Sequence, residues 1–201
     1  GRDIFLQVAG RCGLRNIEVE PSQAEPDPEF PTLRFPNPEE PGAIDRVIEL
    51  ARAIDADLVV AHDPDADRLA AAVPVPMPPP LDQGTQFRIL SGDELGTLLA
   101  YALLERGARG TFANSIVSST LLGQLAARYE QPWVQTLTGF KWIGKVENLA
   151  FGYEEALGFC VRPDLFGDKD GISAALLLLT LANELHQHGR TVLDVLDELA
   201  S

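Results

Sequence analysis

Three aspartates at alternate positions, Asp63, Asp65 and Asp67, are followed at once by a guanidinium in the run His62-Asp63-Pro64-Asp65-Ala66-Asp67-Arg68. Carboxylates at i, i+2 and i+4 converge on one cation when a tight turn follows a strand, and an all-oxygen ligand set suits a hard ion such as Mg²⁺. Arg68 then stands where it can hold a phosphate beside that ion. On spacing alone the pattern fits an acidic surface turn as well as a metal loop. Its context favours the loop: Leu58-Val59-Val60-Ala61 immediately upstream is a short apolar run, which predicts a strand buried on both faces of a parallel sheet. In open α/β sheets, ligands collect beyond the carboxyl ends of such strands. An EF-hand is excluded, since counting from Asp63 puts Arg68 where Gly is needed and Pro74 where a bidentate Glu is needed. The aspartate-nucleophile pattern D-x-D-x-[TV] also fits poorly, because Asp65-Ala66-Asp67 continues with Arg68-Leu69.

Other residues with chemical potential lie in the second half of the chain. Glu154 and Glu155 end a predicted strand, where carboxylates accept hydrogen bonds from sugar hydroxyls or simply face solvent. Lys169 stands between Asp168 and Asp170 in a charged turn. Lys141 falls near a predicted helix N-terminus, which favours anions, although helices also carry lysine for solubility. His186 and His188 are two apart on a predicted helix and diverge, so they read as exposed side chains and not as ligands.

The elements that must position these groups alternate between helix and strand. A helix is predicted over 2–11 and a strand over 16–19, followed by a Pro- and acid-rich extended loop over 21–41 that Phe30, Leu33 and Phe35 anchor. Ile44, Val47, Ile48 and Ala51 recur at helical spacing, which predicts a helix over 42–55 feeding the strand and the aspartate loop. A returning strand over 69–73 runs into a proline-rich segment that halts pairing, and the domain boundary is placed there, giving units 1–82 and 83–201. In the second unit Ser91 and Glu94 form a capping-box pattern, and Leu95, Leu98, Leu99, Ala102 and Leu103 give the next helix one apolar face. Strands over 87–90, 111–117, 133–137 and 149–153 then alternate with helices over 120–129 and 140–147. Helices over 171–188 and 192–200 close the chain. Such a β-α repeat favours mainly parallel sheets covered by helices on both faces, that is, two consecutive three-layer α/β/α domains.

The 201 residues allow one large domain or two small ones, and 45% hydrophobic with 23% charged residues marks a globular chain. Two distant cysteines, Cys12 and Cys160, give neither a disulfide framework nor metal-ligand spacing, which fits a cytoplasmic protein. The net charge of −14 argues against nucleic acid and anionic membrane as partners. An anionic substrate then needs a local cationic patch, for which Arg68, Lys141, Lys145, Arg162 and Lys169 are the candidates.

Six segments in order, Phe35-Pro36-Asn37-Pro38-Glu39-Glu40-Pro41-Gly42, Asp63-Pro64-Asp65-Ala66-Asp67-Arg68, Ser91-Gly92-Asp93-Glu94-Leu95-Gly96, Thr138-Gly139-Phe140-Lys141-Trp142-Ile143-Gly144, Gly152-Tyr153-Glu154-Glu155-Ala156-Leu157-Gly158 and Asp168-Lys169-Asp170-Gly171, resemble motifs of the α-D-phosphohexomutase superfamily. The resemblance covers nearly the whole chain and corresponds to the middle two of that family's four domains, with the first lacking its opening strand. It implies a mutase that moves phosphate between the C1 and terminal hydroxyls of an aldose phosphate through a sugar bisphosphate and a phosphoserine. Asp63, Asp65 and Asp67 are then the Mg²⁺ ligands, Arg68 and Lys169 act at the transferred phosphoryl group, and Glu154, Glu155 and Lys141 contact substrate. Many members carry Ser where this chain has Ala156. The Glu-Glu-Ala form resembles the phosphopentomutase-like branch. No segment resembles the family's T-[AG]-S-H-N-P phosphoserine loop or its R-x-S-G-T-E-P phosphate loop, which leaves a non-catalytic sugar-phosphate-binding or assembly module as the alternative.

Overall fold

The computed structural model describes residues 1–25, 27–75 and 85–200. The predicted boundary at 82/83 lies outside the described residues. In chain order the helices are α1 (Arg2–Arg11), α2 (Asp45–Ile54), α3 (Gly92–Glu105), α4 (Leu121–Arg128), α5 (Phe140–Ile143), α6 (Gly171–Gln187) and α7 (Val192–Leu199). The strands are β1 (Val59–Ala61), β2 (Ala70–Val75), β3 (Gln86–Ile89), β4 (Thr111–Ser115), β5 (Trp133–Thr136), β6 (Leu149–Glu154) and β7 (Gly158–Cys160).

Two sheets result. In the first, ordered β1-β2-β3, all neighbours run antiparallel, with Ala61 opposite Ala70 and Val73 opposite Arg88. The apolar run before the aspartates therefore belongs to an antiparallel pair and not to the parallel sheet its composition suggests. The aspartate loop is the connection of that hairpin, so both of its ends are pinned by one ladder. The second sheet, ordered β5-β4-β6-β7, is parallel through β5, β4 and β6 and antiparallel at β7. Its central strand is buried throughout, as expected when helices cover both faces. Alternation along β4 divides the packing: Phe112 joins the core formed with α3, α4 and α6, while Ala113 packs with Phe140 and Ile143 of α5 on the opposite face. That is a three-layer arrangement.

Helix α3 sits at the centre. Its capping box forms, with Ser91 Oγ accepting from Glu94 N–H at 3.2 Å and a Glu94 carboxylate oxygen accepting from Ser91 N–H at 2.8 Å. Leu95, Leu98 and Leu99 are fully buried, so truncating any of them to Ala costs about 2–5 kcal/mol. The same core takes in Phe5, Leu69 and Val73 from before the proline-rich segment and Phe151, Tyr153 and Leu178 from after it. Helix α2 and its N-cap cover the other side of the first sheet, with Ile44, Ile48 and Ala51 against Val59 and Ala72.

Three local expectations are corrected. Residues 16–19 form no strand; the Glu20 carboxylate instead caps one 3₁₀ turn at Pro21–Gln23, and a side chain that binds its own downstream N–H groups competes with a ladder. Phe35 is 58% exposed and joins none of the buried clusters described, whereas Leu33 does pack against the α2 core. Helix α5 stops at Ile143, where Gly144 packs so closely on Gly167 that an added Cβ would lie 2.3 Å from its carbonyl oxygen.

Candidate metal and sugar-phosphate site

The loop between β1 and β2 turns back on itself through Ala66, a non-glycine residue at φ 59°, with Ala66 N–H donating to the Asp63 carbonyl at 3.0 Å. This turn brings one carboxylate oxygen from each of Asp63, Asp65 and Asp67 within 4.8 Å of the others. Asp63 Oδ1 also accepts from Arg68 N–H at 3.1 Å, which orients the carboxylate inward. Burial raises the Asp63 carboxyl above the usual aspartate range, and the negative charges of Asp67 and Asp65 raise it further against the pull of the Arg68 N–H. Three carboxylate oxygens crowded this closely suit a divalent cation, and their hard donors fit Mg²⁺.

Cationic groups flank the cluster. Arg68 reaches Asp63 at 3.6 Å, Asp67 at 3.9 Å and, from the extended loop, Glu39 at 3.5 Å. Lys169 Nζ lies 2.7 Å from Asp67 Oδ2 and 3.7 Å from Asp168. Burial works against the Lys169 charge, but the hydrogen bond to Asp67 and the carboxylates of Asp67, Asp168 and Glu154 outweigh it and hold the pKa up. The side chain also lies over the Phe140 ring, 5.6 Å from its centroid.

Backbone contacts tie the aspartate loop to the second sheet. Leu69 N–H donates to the Leu157 carbonyl, Gly171 N–H donates to the Ala66 carbonyl at 3.0 Å, and Arg68 bridges to Gly158. Glycine is required at 171: a Cβ there would sit 2.2 Å from the Arg68 carbonyl oxygen. Helix α6 begins at that contact, with Asp170 accepting from Ile172 N–H as its N-cap. The Lys169 turn, the aspartate loop and the β6–β7 turn thus meet at one point.

Glu154, the last residue of β6, accepts from Gly139 N–H through Oε1. Glu155 turns away, its Oε2 accepting from Ser115 and Ser118 hydroxyls at 2.8 and 2.7 Å. Lys141 is exposed and stacks over Trp142 at 5.6 Å, as Lys145 does at 5.8 Å. The structure therefore gathers Asp63, Asp65, Asp67, Arg68 and Lys169, with the Glu154 charge close enough to act on Lys169, and leaves Lys141 exposed over Trp142. Glu39, Ser115 and Ser118 enter from distant segments. Only the Glu39 segment carries a sequence signal, the Pro-Asn-Pro-Glu-Glu run.

Residues 1–75 match the family described as "Phosphoglucomutase/phosphomannomutase, alpha/beta/alpha domain II", and residues 91–201 match its domain III. A probable phosphomannomutase of Haemophilus influenzae is 44% identical over 98% of this chain, which covers 40% of that protein. A phosphoribomutase of Saccharomyces cerevisiae is 41% identical over 89% of the chain and 31% of its own length. A putative phosphomannomutase of Thermus thermophilus of known structure superposes with a TM-score of 0.76 at 25% identity, over 97% of this chain and 41% of that one. The chain thus spans less than half the length of these relatives.

Proposed function

Because the chain belongs to the phosphoglucomutase/phosphomannomutase family, we propose that it is the metal- and sugar-binding part of a phosphosugar mutase, an isomerase that moves phosphate between the C1 and terminal (C5 or C6) hydroxyls of an aldose phosphate through a bisphosphorylated sugar. The observation that carries this reading is the convergence of Asp63, Asp65 and Asp67 beside Lys169, with the Glu154 charge near enough to act on that lysine. In this reading residues 1–82, joined by β3 in the same sheet, form the metal domain and the remainder of 83–201 the sugar domain. The phosphoserine and the second phosphate-binding loop belong to flanking domains of the same protein. Asp63, Asp65 and Asp67 would hold a Mg²⁺ ion, which would supply charge neutralisation at the phosphoryl group.

The chain's own groups have separate tasks. Arg68, fixed by three carboxylates, offers its guanidinium to a phosphoryl oxygen. Lys169 keeps its proton until a sugar oxygen needs it and stabilises the charge that develops there. Glu154, steadied by Gly139, accepts hydrogen bonds from sugar hydroxyls. Lys141 supplies positive charge at the surface, where a phosphosugar must approach a protein of net charge −14. Two free thiols, Cys12 and Cys160, accord with a cytoplasmic setting. Among the described residues, no helix is long and apolar enough to cross a membrane.

The test is conversion of glucose 1-phosphate, mannose 1-phosphate and ribose 1-phosphate by the full-length protein, with Mg²⁺ and with EDTA. Mg²⁺-dependent turnover that Asp65→Ala abolishes is expected, with none from the 201-residue chain alone. Binding without turnover by the full-length protein would favour a non-catalytic module.

A further inference from the structure

Glu155 lies in the turn after β6 beside Glu154, but its carboxylate points into the protein. Oε2 accepts from both Ser115 and Ser118, and the two serine oxygens are themselves 2.8 Å apart. Two hydroxyl protons serve these three contacts, so the carboxylate holds both protons or shares one with the serine pair. Ser118 Oγ in turn accepts from Glu155 N–H at 3.2 Å, closing a ring through side chain and backbone of one residue. Ser115 is fully buried and Ser118 is 6% exposed. Burial raises the Glu155 carboxyl, but the Ser118 and Ser115 hydroxyls outweigh it and hold the group below the usual glutamate range. Hydroxyl bonds to a charged carboxylate are among the stronger ones available to a protein.

The carbonyl end of the same residue is fixed too. A Cβ at Gly92 would lie 1.8 Å from the Glu155 carbonyl oxygen, so the N-terminus of α3 packs directly on it. The next residue of α3, Asp93, accepts from Tyr153 Oη and from Ser119 N–H, both at 2.7 Å. Asn114 completes the brace by donating to the Ser119 carbonyl at 2.7 Å and accepting from Trp133 Nε1 at 3.0 Å. The turn carrying Glu154 is thus held between α3 and the Ser115–Ser118 turn that ends β4.

We propose that Ser118, aided by Ser115, is a positioning residue that grips Glu155 and thereby aims Glu154 at the sugar, so that Glu155 is a strut and touches no substrate. This departs from the sequence expectation of a sugar contact at Glu155, and it rests on the mutase reading only for its effect on turnover.

The experiment uses Ser118→Ala, Glu155→Gln, the double variant and Ser118→Thr. In the 201-residue chain, hydrogen exchange at the Glu155 amide should quicken roughly tenfold in Ser118→Ala, the scale of one lost hydrogen bond, and stay near wild type in Ser118→Thr. In the full-length protein Ser118→Ala and Glu155→Gln should each lower kcat/KM roughly tenfold, mainly through KM, Ser118→Thr should stay near wild type, and the double variant should lose no more than either single loss, because one linkage is broken only once. Multiplicative losses in the double variant, or an unchanged amide, would overturn the proposal. A quickened amide with no turnover by the wild-type full-length protein sinks the mutase reading and leaves the strut standing. Wild-type turnover with multiplicative losses does the reverse.

Discussion

Lys169 Nζ and Asp67 Oδ2 lie 2.7 Å apart, an ammonium seated on one of the three carboxylates that face a common cation position. The pair has an energetic consequence for any divalent ion that enters, since the ion must share Asp67 with a fixed positive charge. Lys169→Met should therefore raise the affinity of the 201-residue chain for Mg²⁺ or Mn²⁺ about fivefold, the scale of about 1 kcal/mol for a partly exposed ion pair. Asp65→Ala should abolish the binding. Titration calorimetry reads both, and an affinity that Lys169→Met leaves unmoved would show that the ammonium steps aside without cost.

Two glycine substitutions should move stability in opposite directions. Gly171→Ala drives a Cβ into the backbone of the aspartate loop, 2.2 Å from the Arg68 carbonyl oxygen and 2.8 Å from that of Ala66. Neither is the end of a flexible side chain, so a loss of about 1–3 kcal/mol is expected, together with weaker metal binding. Gly10→Ala in α1 meets nothing within 4 Å and should stabilise by about 0.5–1 kcal/mol. Urea denaturation of both variants checks the pair, and equal shifts would mean that the close approach at Gly171 is not held in solution.

A pH dependence should trace to the start of α3. Burial raises the Glu94 carboxyl, but the Ser91 N–H and the Arg88 guanidinium outweigh it and hold the group below its ordinary value of 4.5. A carboxyl depressed on folding contributes stability above its unfolded pKa and loses that contribution as pH falls through the folded one. Glu94→Gln should thus cost about 1 kcal/mol near neutrality, the scale of a capping interaction. The gap to wild type should narrow as the medium is acidified below the ordinary glutamate range. A gap that persists at low pH would assign the loss to packing and not to charge.

What the sequence reveals depends on how local the cause is. The capping box at Ser91 and Glu94 is written within four residues, and the alternation Asp63, Asp65, Asp67 already implies convergence once the chain turns. Strand β7 is harder to see, because its three residues follow a turn in which Leu157 adopts φ 63°, a conformation that nothing in its residue type requests. The pairing direction of β1 is likewise hidden, since an apolar run fits parallel and antiparallel sheets alike. Contacts across long separations, Glu39 with Arg68 and Ser118 with Glu155, follow from the fold and have no local signature. Glu155 is the instructive case: position at a strand end suggests a ligand, while the hydrogen bonds from Ser115 and Ser118, on which the strut proposal rests, come from 37 to 40 residues away and leave no local trace.

Selectivity among sugars should turn on the exposed tip of the β6–β7 turn. Ala156 follows Glu154 and Glu155 there and offers no hydroxyl. A position built to hydrogen-bond a sugar hydroxyl rejects analogues lacking it, whereas an apolar position discriminates little. Under the mutase reading, the full-length protein is therefore expected to accept both pentose and hexose phosphates. Ala156→Ser should shift the ratio of kcat/KM toward hexose by about 1 kcal/mol, the net worth of one hydrogen bond. Glu154→Gln keeps an oxygen for the Gly139 N–H but loses the charge, so both substrates should suffer more than that and by similar factors. Steady-state kinetics on the two variants decides: a pentose-to-hexose ratio that Ala156→Ser does not move would mean that the tip of the turn does not read the sugar.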